Sequence, residues 1–486
     1  MTKRFCVLYS LFLLGTVLYA PMSLYAQDGN EYLSPFAHGA GRTYAITARG
    51  LDASGLNPAL LGLGTPRPFE LTIMPISSFG AHVGAGMSDI NSIVKGFTGS
   101  GLSSQTPTAN GTSTVGDSTR ESLTNFLRDN RLSSNADFRL FGISYYDPQV
   151  GGFALTATLH AALRVNIPDS LLDFLGPLAE AEISQHTLTP QSVDLQGLSY
   201  VEYTLSYACN IFGAERSGDL QLLGGLGLKY IAGLAMIRMS PGTFSINYPS
   251  QPSGSAVVNA NYALQFAYPD QPKNFSLGLL TSGGAGSGVG ADIGFTLGSF
   301  DSNHYAPWQV AVSVADIGSI RWTKHTDIRS SNVSDTFSTQ NTSADTINSR
   351  LKALGGTLDT TDAPITTQLP TTLHIAGALD LAQIGIGMDG VHLSAAAEYA
   401  LGLTNVIGAS YHSQFGFAVI MEHPSSGFSY HTALGFATQD GVTDLTLALG
   451  FGLGNVFTID AGTAGLTNLF KAGSYADGVV GMKILF

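Results

Sequence analysis

The sequence predicts an all-β protein: a transmembrane antiparallel β-barrel of about 14 strands with an N-terminal plug segment and short loop helices. Three observations predict it. Apolar residues recur at every second position in segments of roughly nine or ten residues, the length of a tilted membrane strand. The last of these segments ends on an aromatic, Phe486. Finally, only 12 % of the residues are charged, against roughly 25 % in soluble domains. Yet no segment after the N-terminal region offers the approximately 18 uninterrupted apolar residues that a spanning helix needs. Low charge, 58 glycines and 10 % aromatics fit a wall whose hydrophobicity is spread over alternate residues, with lipid on one side and a lumen on the other.

At the N-terminus, Lys3 and Arg4 precede an apolar run from Phe5 to Ala20, and a polar stretch starts at Gln27-Asp28-Gly29-Asn30. This is the charged, apolar and small-residue order of a secretory signal peptide, assigned to residues 1–26. The cut is placed after Ala26. Ala20 is the alternative, disfavoured because Pro21 would follow the cut. Cys6 lies in the apolar run without a lipoprotein-type context. Removing residues 1–26 changes the formal charge from −13 to −15, because only Lys3 and Arg4 are lost. Such an acidic chain lacks the basic face of a general nucleic-acid binder. Cys209 is then the single cysteine, so the exported chain has no internal disulfide.

Residues 27–66 come next. They hold Leu51-Asp52-Ala53-Ser54-Gly55-Leu56-Asn57-Pro58-Ala59. Asp52 or Ser54 can accept backbone N–H bonds, and Asn57-Pro58 favours an extended or turn geometry. Read from the residues alone, this is a capped turn in a surface loop with a short helix. The Asp52-Ala53-Ser54 and Asn57-Pro58-Ala59 arrangement also resembles the N-terminal segment of FadL-type outer-membrane barrels, the long-chain fatty-acid transporters and their secretion-associated relatives. The resemblance implies a plug or hatch folded into the lumen at residues 27–66, followed by the barrel at 67–486. The spacing here is shorter than the usual family form.

From Phe69 onward the alternation repeats. Phe153, Leu155, Ala157 and Leu159 alternate with Ala154, Thr156, Thr158 and His160; Val201, Tyr203, Leu205 and Tyr207 alternate with Glu202, Thr204 and Ser206. Similar rows start at Trp308, Leu373 and Leu445. Soluble sandwich strands are usually nearer five or six residues. The opposite face, rich in Gly, Ala, Ser and Thr, leaves room that a soluble core would fill; water, the plug or a ligand must occupy it. Tight connections are predicted at 147–152, 422–427 and 438–441. Long polar loops are predicted at 98–134 and 330–361, and amphipathic loop helices at 118–132 and 168–184.

The closing segment is the clearest. Val480, Met482, Ile484 and Phe486 share one face, with Gly481 and Lys483 on the other. It resembles the final strand of Gram-negative outer-membrane barrels, in which these positions are read as an insertion signal. Asp316 to Trp322 and Leu369-Pro370 likewise resemble uncharacterised barrels allied to the FadL type.

Enzyme chemistry finds no support. The 11 histidines form no His-Glu-x-x-His, the lone exported cysteine rules out Cys-x-x-Cys zinc sites, and no Gly-x-Ser-x-Gly elbow occurs. Gly286 to Ala291 is a loosened dinucleotide fingerprint, but Ile293 to Leu297 continues it as a strand rather than a helix. His160, His374 and His392 fall on the small, polar face of strands. No catalytic residue, metal or cofactor is assigned. What the resemblance implies is an outer-membrane location, with outer-membrane lipid and the barrel-assembly machinery as partners. It also implies a passive channel for hydrophobic small molecules; the alternative is a non-transporting barrel serving as a secretion-system partner or surface scaffold.

Overall fold

A computed structural model describes residues 33–486 apart from 84–131, 167–187, 214–218, 248–254, 270–283, 301–305, 325–326, 339–358, 407–412, 440–441, 468–475 and positions 66, 75, 405, 426 and 455. The predicted signal peptide and both predicted loop helices, except Leu132, lie outside the described residues.

Among the described residues, nineteen strand segments form a single antiparallel sheet. They are β1 (Phe69–Ile73), β2 (Phe79–Val83), β3 (Leu132–Asp147), β4 (Gly151–Asn166), β5 (Leu188–Phe212), β6 (Leu220–Asn247) and β7 (Ser255–Ala267). Next come β8 (Gly286–Ser299), β9 (Trp308–Trp322), β10 (Asp327–Ser338), β11 (Asp359–Asp362), β12 (Ile365–Gln368) and β13 (Thr372–Asp380). The last six are β14 (His392–Gly402), β15 (Ser413–His423), β16 (Phe428–Gln439), β17 (Val442–Leu453), β18 (Phe457–Thr463) and β19 (Ala476–Leu485).

Several segments are pieces of one barrel stave. β1 and β2 both lie between β19 and β3. β7 and β8 run in succession along β6, β9 and β10 along β8 and β7, and β11 to β13 along β10 and β9. Merged in this way the sheet is a closed barrel of 14 staves. Closure falls where the first stave meets the last: Glu70 pairs with Leu485, Phe486 N–H donates to the Phe69 carbonyl at 2.9 Å, and Phe69 N–H returns to Phe486 at 3.3 Å. A closed wall leaves no backbone edge to be satisfied in lipid.

The alternation read from sequence sorts the two faces. Leu155, Leu205 and Leu228 form one row across β4, β5 and β6 and point outward, exposed. One residue along, Thr156, Thr204 and Lys229 form the adjacent row and are buried inside. Gly286 to Ala291 is strand throughout, which removes the dinucleotide reading.

Two expectations change. The polar stretch at 330–361 is not all loop: its first residues belong to β10 and its last to β11, so strand pairing extends past the expected membrane span. The nine-or-ten-residue estimate is also too short for β5 and β6, which run 25 and 28 residues. Their register slips at Ser199/Tyr200, where a bulge re-aims the wall.

Candidate functional site

Residues 33–64 lie inside the barrel. Their four short turns are Pro35–Gly39, Tyr44–Thr47, Gly50–Ala53 and Pro58–Leu63. The first touches β16 to β19, the second β9, β13 and β14, the third β3 and β4, and the fourth β4, β5, β6 and β8. Contacts with staves all round the wall are possible only from the lumen. The local sequence keeps every turn short: Gly41, Gly50, Gly55 and Gly64 take positive φ, and Pro35 and Pro58 start new turns.

Glycines in the wall let the backbone of this segment rest directly on the strands. A Cβ on Gly225 would lie 2.3 Å from the Ala59 nitrogen, and one on Gly416 would lie 1.6 Å from the Gly41 carbonyl oxygen. Around these contacts, Leu51, Leu56, Leu60 and Leu63 join one buried apolar cluster with Ala154, Ala208 and Leu223 of the wall, while Ile46 joins another with Ala376, Ala418 and Ala448. The small inner residues predicted to leave room face this segment.

Polar contacts fix its position. Asp52 accepts from Arg139 Nη1 of β3 and from Lys483 Nζ of β19, each at 2.8 Å. Burial alone would raise the Asp52 pKa, but the Lys483 and Arg139 charges outweigh it and hold the carboxyl below its ordinary value. Glu70 accepts from Leu51 N–H at 2.6 Å. Asn57 is fully buried: its amide donates to the Ala45 carbonyl at 2.7 Å and to Thr296 Oγ1 at 3.2 Å, while its oxygen accepts from Ala59 N–H. Ser54 Oγ meets Ser206 Oγ at 3.0 Å.

Near the start of the segment, His38 Nε2 and Arg42 Nη2 both contact Asp477 Oδ2, at 3.0 and 2.9 Å, and His38 Nδ1 meets the Tyr44 hydroxyl at 2.6 Å. Burial holds the His38 pKa below its ordinary value, against the opposing pull of Asp477. The neutral ring satisfies both contacts, donating to Asp477 and accepting from Tyr44.

Beyond Ser206 lies a second polar tier. Lys229 Nζ contacts Glu202 at 3.3 Å, Asp292 at 2.9 Å, and Asp316. Asp316 has φ +58, and its N–H donates to Asp292 Oδ1 at 2.8 Å. His160 is hydrogen-bonded to Asp137 at 2.7 Å and stacks on Tyr200.

Asp52, Ser54, Asn57, Pro58 and Ala59 are therefore brought together and all are buried. The surface-loop reading fails, and so does the assignment of the cap to Asp52 or Ser54. Asn57 supplies the cap, because Asp52 is drawn to two cations and Ser54 to the wall. Val480 and Phe486 are exposed and Met482 and Ile484 half-buried, alternating with buried Val479, Gly481, Lys483 and Leu485. His160 and His374 are buried on the inner face, with His374 Nδ1 2.6 Å from Glu398; His392 is half-buried. Sequence reasoning missed Arg139, Glu70, Glu398, Asp477 and the Lys229 tier as partners. Their signal was available: single charges at small-face positions of strands in a chain with few charges.

Among the described residues no helix is long and apolar enough to cross a membrane, and no group of three His, Cys, Asp or Glu side chains is arranged to hold a metal ion. Fold and site together define a transmembrane β-barrel of the outer-membrane type whose lumen holds its own N-terminal segment. The chain belongs to the family described as "Family of unknown function (DUF5723)", which matches residues 70–469.

Among curated proteins nothing matches the sequence. Solved structures similar to it include two toluene transporters and a FadL homologue. The Ralstonia pickettii toluene transporter TbuX is 12 % identical with a TM-score of 0.41, over 93 % of this chain and 99 % of that one. The Pseudomonas putida toluene transporter TodX is 9 % identical with a TM-score of 0.44, over 96 % and 100 %. A Pseudomonas aeruginosa FadL homologue is 8 % identical with a TM-score of 0.36, over 96 % and 97 %. At these scores the chemistry of the lumen has to be read from this chain's own residues.

Proposed function

We propose that the protein is an outer-membrane channel for small, mainly hydrophobic molecules, with residues 27–66 as its plug, residues 67–486 as the barrel, and residues 1–26 as a signal peptide removed on export. The observation that carries this reading is how the luminal segment is seated. It is held by hydrogen bonds, ion pairs and packing on small wall residues, and among the described residues no disulfide ties it to the wall. Such a segment can shift without breaking the strand ladder, because the backbone pairing of the staves does not run through it.

In this reading Asp52, Ser54, Asn57, Pro58 and Ala59 seat the plug. Val480, Met482, Ile484 and Phe486 form the signal that the barrel-assembly machinery recognises, and outer-membrane lipid surrounds the outward apolar rows. This reading assigns no catalytic residue and no cofactor.

A second reading has one observation in its favour. The luminal segment contributes much of the buried apolar core, as it would in a permanently filled barrel that serves a secretion system or scaffolds the surface. Uptake of a labelled fatty acid and of a labelled monoaromatic into proteoliposomes separates the two. Passage through the full-length protein, verified as a folded barrel by heat-modifiability, supports the channel. No passage through the full-length protein, with co-purification of secretion components, supports the scaffold.

A further inference from the structure

We propose that the outer wall carries a docking furrow for one acyl chain of lipopolysaccharide, the lipid of the outer leaflet of the outer membrane. The furrow lies on the lipid face, so the proposal does not depend on solute passing through the lumen.

Strand register builds the furrow. Ala81, Ala136, Ala161, Ser199 and Ala235 pair in turn across β2 to β6 and make one row of small side chains. The row points out of the barrel. Exposed Phe79 and Phe138 stand two residues away on the same face, whereas the buried Asn135 and Asp137 on either side of Ala136 point into the lumen. Large side chains occupy the neighbouring outward rows: Leu163, Ile237 and Phe266 on the long-loop side, and Phe79, Phe138 and Leu159 on the other. Between them lies a groove of about 550 Å³ that also reaches Tyr268 and has no charged side chain in its lining.

The shape of the groove selects a hydrocarbon chain. Four steps between strands, at about 4.8 Å each, make the row about 19 Å long, and rows on one face of a sheet are about 7 Å apart. A single row of small residues is therefore a long slot one row wide. An α-helix with its side chains is about 10 Å across and does not enter it. A strand of another chain needs free backbone groups, which a closed wall does not offer. An extended acyl chain does enter, and it touches the wall on three sides where a chain lying on a flat wall touches one. Inside a bilayer that packing is what retains it, because an unfilled slot forfeits dispersion contacts.

The height of the groove selects the leaflet. Short connections, such as that from Asp147 to Gly151, mark the periplasmic end of the barrel, and the exposed ring pair of Phe153 and Tyr207 lies beside that turn. Ala161 is eight residues farther along β4 than Phe153. At about 3.3 Å per residue and a tilt of about 40°, that places the furrow about 20 Å above the ring pair, in the outer half of an apolar band about 25 Å tall. Lipopolysaccharide supplies the acyl chains at that depth.

Native mass spectrometry of the full-length protein, extracted from outer membranes in a mild detergent, tests this. The wild type should carry one lipopolysaccharide per barrel, identified by its lipid A after mild acid hydrolysis, and should keep it through detergent exchange. A161L/S199L fills the floor of the slot with side chains that suit a lipid-facing wall. Verified as a folded barrel by heat-modifiability, it should lose the bound lipid. A395L makes the same kind of change at an outward position beside exposed Val419, away from the furrow, and should keep it. A wild type that retains no lipid, a phospholipid instead, or a second copy of the chain overturns the proposal. So does lipopolysaccharide that A161L/S199L retains or that A395L also loses. Because the wild-type mass is decisive by itself, a variant that fails to fold does not rescue the proposal.

Discussion

Asp52 and Lys483 stand 431 positions apart in the chain and are joined by a 2.8 Å ion pair inside the barrel. One lies in the luminal segment and the other on the strand that closes the wall, and Arg139 completes the site from the second stave. Folding of the luminal segment and closure of the barrel are thereby linked through one carboxylate. Replacing it with alanine removes the carboxylate that Arg139 and Lys483 share, and breaking a buried pair costs about 3–5 kcal/mol. D52A should lower the temperature of heat-modification markedly and expose the segment to protease, while the isosteric D52N should do so less.

The same carboxylate sets an acid limit. Its folded pKa is held below the ordinary 3.8, so its contribution is complete above that value and is lost as the pH falls through the lower folded one. The stability difference between wild type and D52N should be flat from about pH 8 to pH 5 and shrink only below about pH 4. Thermal unfolding across that range measures it.

His38 acts at milder acidity. Burial lowers its pKa from 6.5, so the unfolded chain takes up a proton that the folded segment resists. Its contribution is complete above pH 6.5 and is lost as the pH falls from there toward the folded value. Proteolysis of the luminal segment should therefore accelerate as the pH falls below 6.5 in the wild type. H38Q should remove that dependence, because the amide keeps hydrogen-bonding capacity without titrating.

Gly225 tests the seat from the wall side. A methyl group there would lie 2.3 Å from the Ala59 nitrogen and 2.4 Å from the Pro58 carbonyl carbon, both backbone atoms that a rotamer change cannot move. Gly225 has no positive φ in a strand that otherwise suits alanine, so the strand itself should tolerate G225A. The variant should still assemble as a heat-modifiable barrel and show raised solute entry or ion conductance in planar bilayers. An unchanged conductance, with the segment still protected from protease, would show that the wall yields instead.

The sequence made the wall legible because lipid-facing and lumen-facing positions alternate, and that period survives without any tertiary knowledge. Leu155 and Thr156 take the faces their parity assigns. The stave count was also legible, although β7 and β8 form one stave only through their shared partner β6, which a linear pattern cannot reveal. The Asp-Ala-Ser and Asn-Pro-Ala residues lie in the luminal segment. Their contacts did not follow: Asp52 meets Lys483 and Asn57 meets Thr296 across hundreds of residues, so local turn rules assigned the cap to the wrong side chain. Arg139 and Asp477 were missed for a related reason. A charge on a small face reads as lumen-lining polarity until its partner in another element is placed beside it.

Phe486 addresses the closing strand. Its ring is exposed on the outer face at 59 %, while its backbone exchanges both hydrogen bonds with Phe69. Those two roles separate by mutation. F486A keeps the backbone pair with Phe69 and removes only the outward aromatic, so the finished barrel should lose little stability. If Phe486 belongs to the assembly signal proposed with Val480, Met482 and Ile484, the amount of folded barrel in outer membranes should nevertheless fall severalfold, with F486Y restoring it. Deleting Phe486 removes the backbone pair as well, and should lower both yield and the temperature of heat-modification. Equal loss of stability in F486A and the deletion would place the residue's importance in packing of the ring, whereas normal yield in F486A would remove Phe486 from the signal.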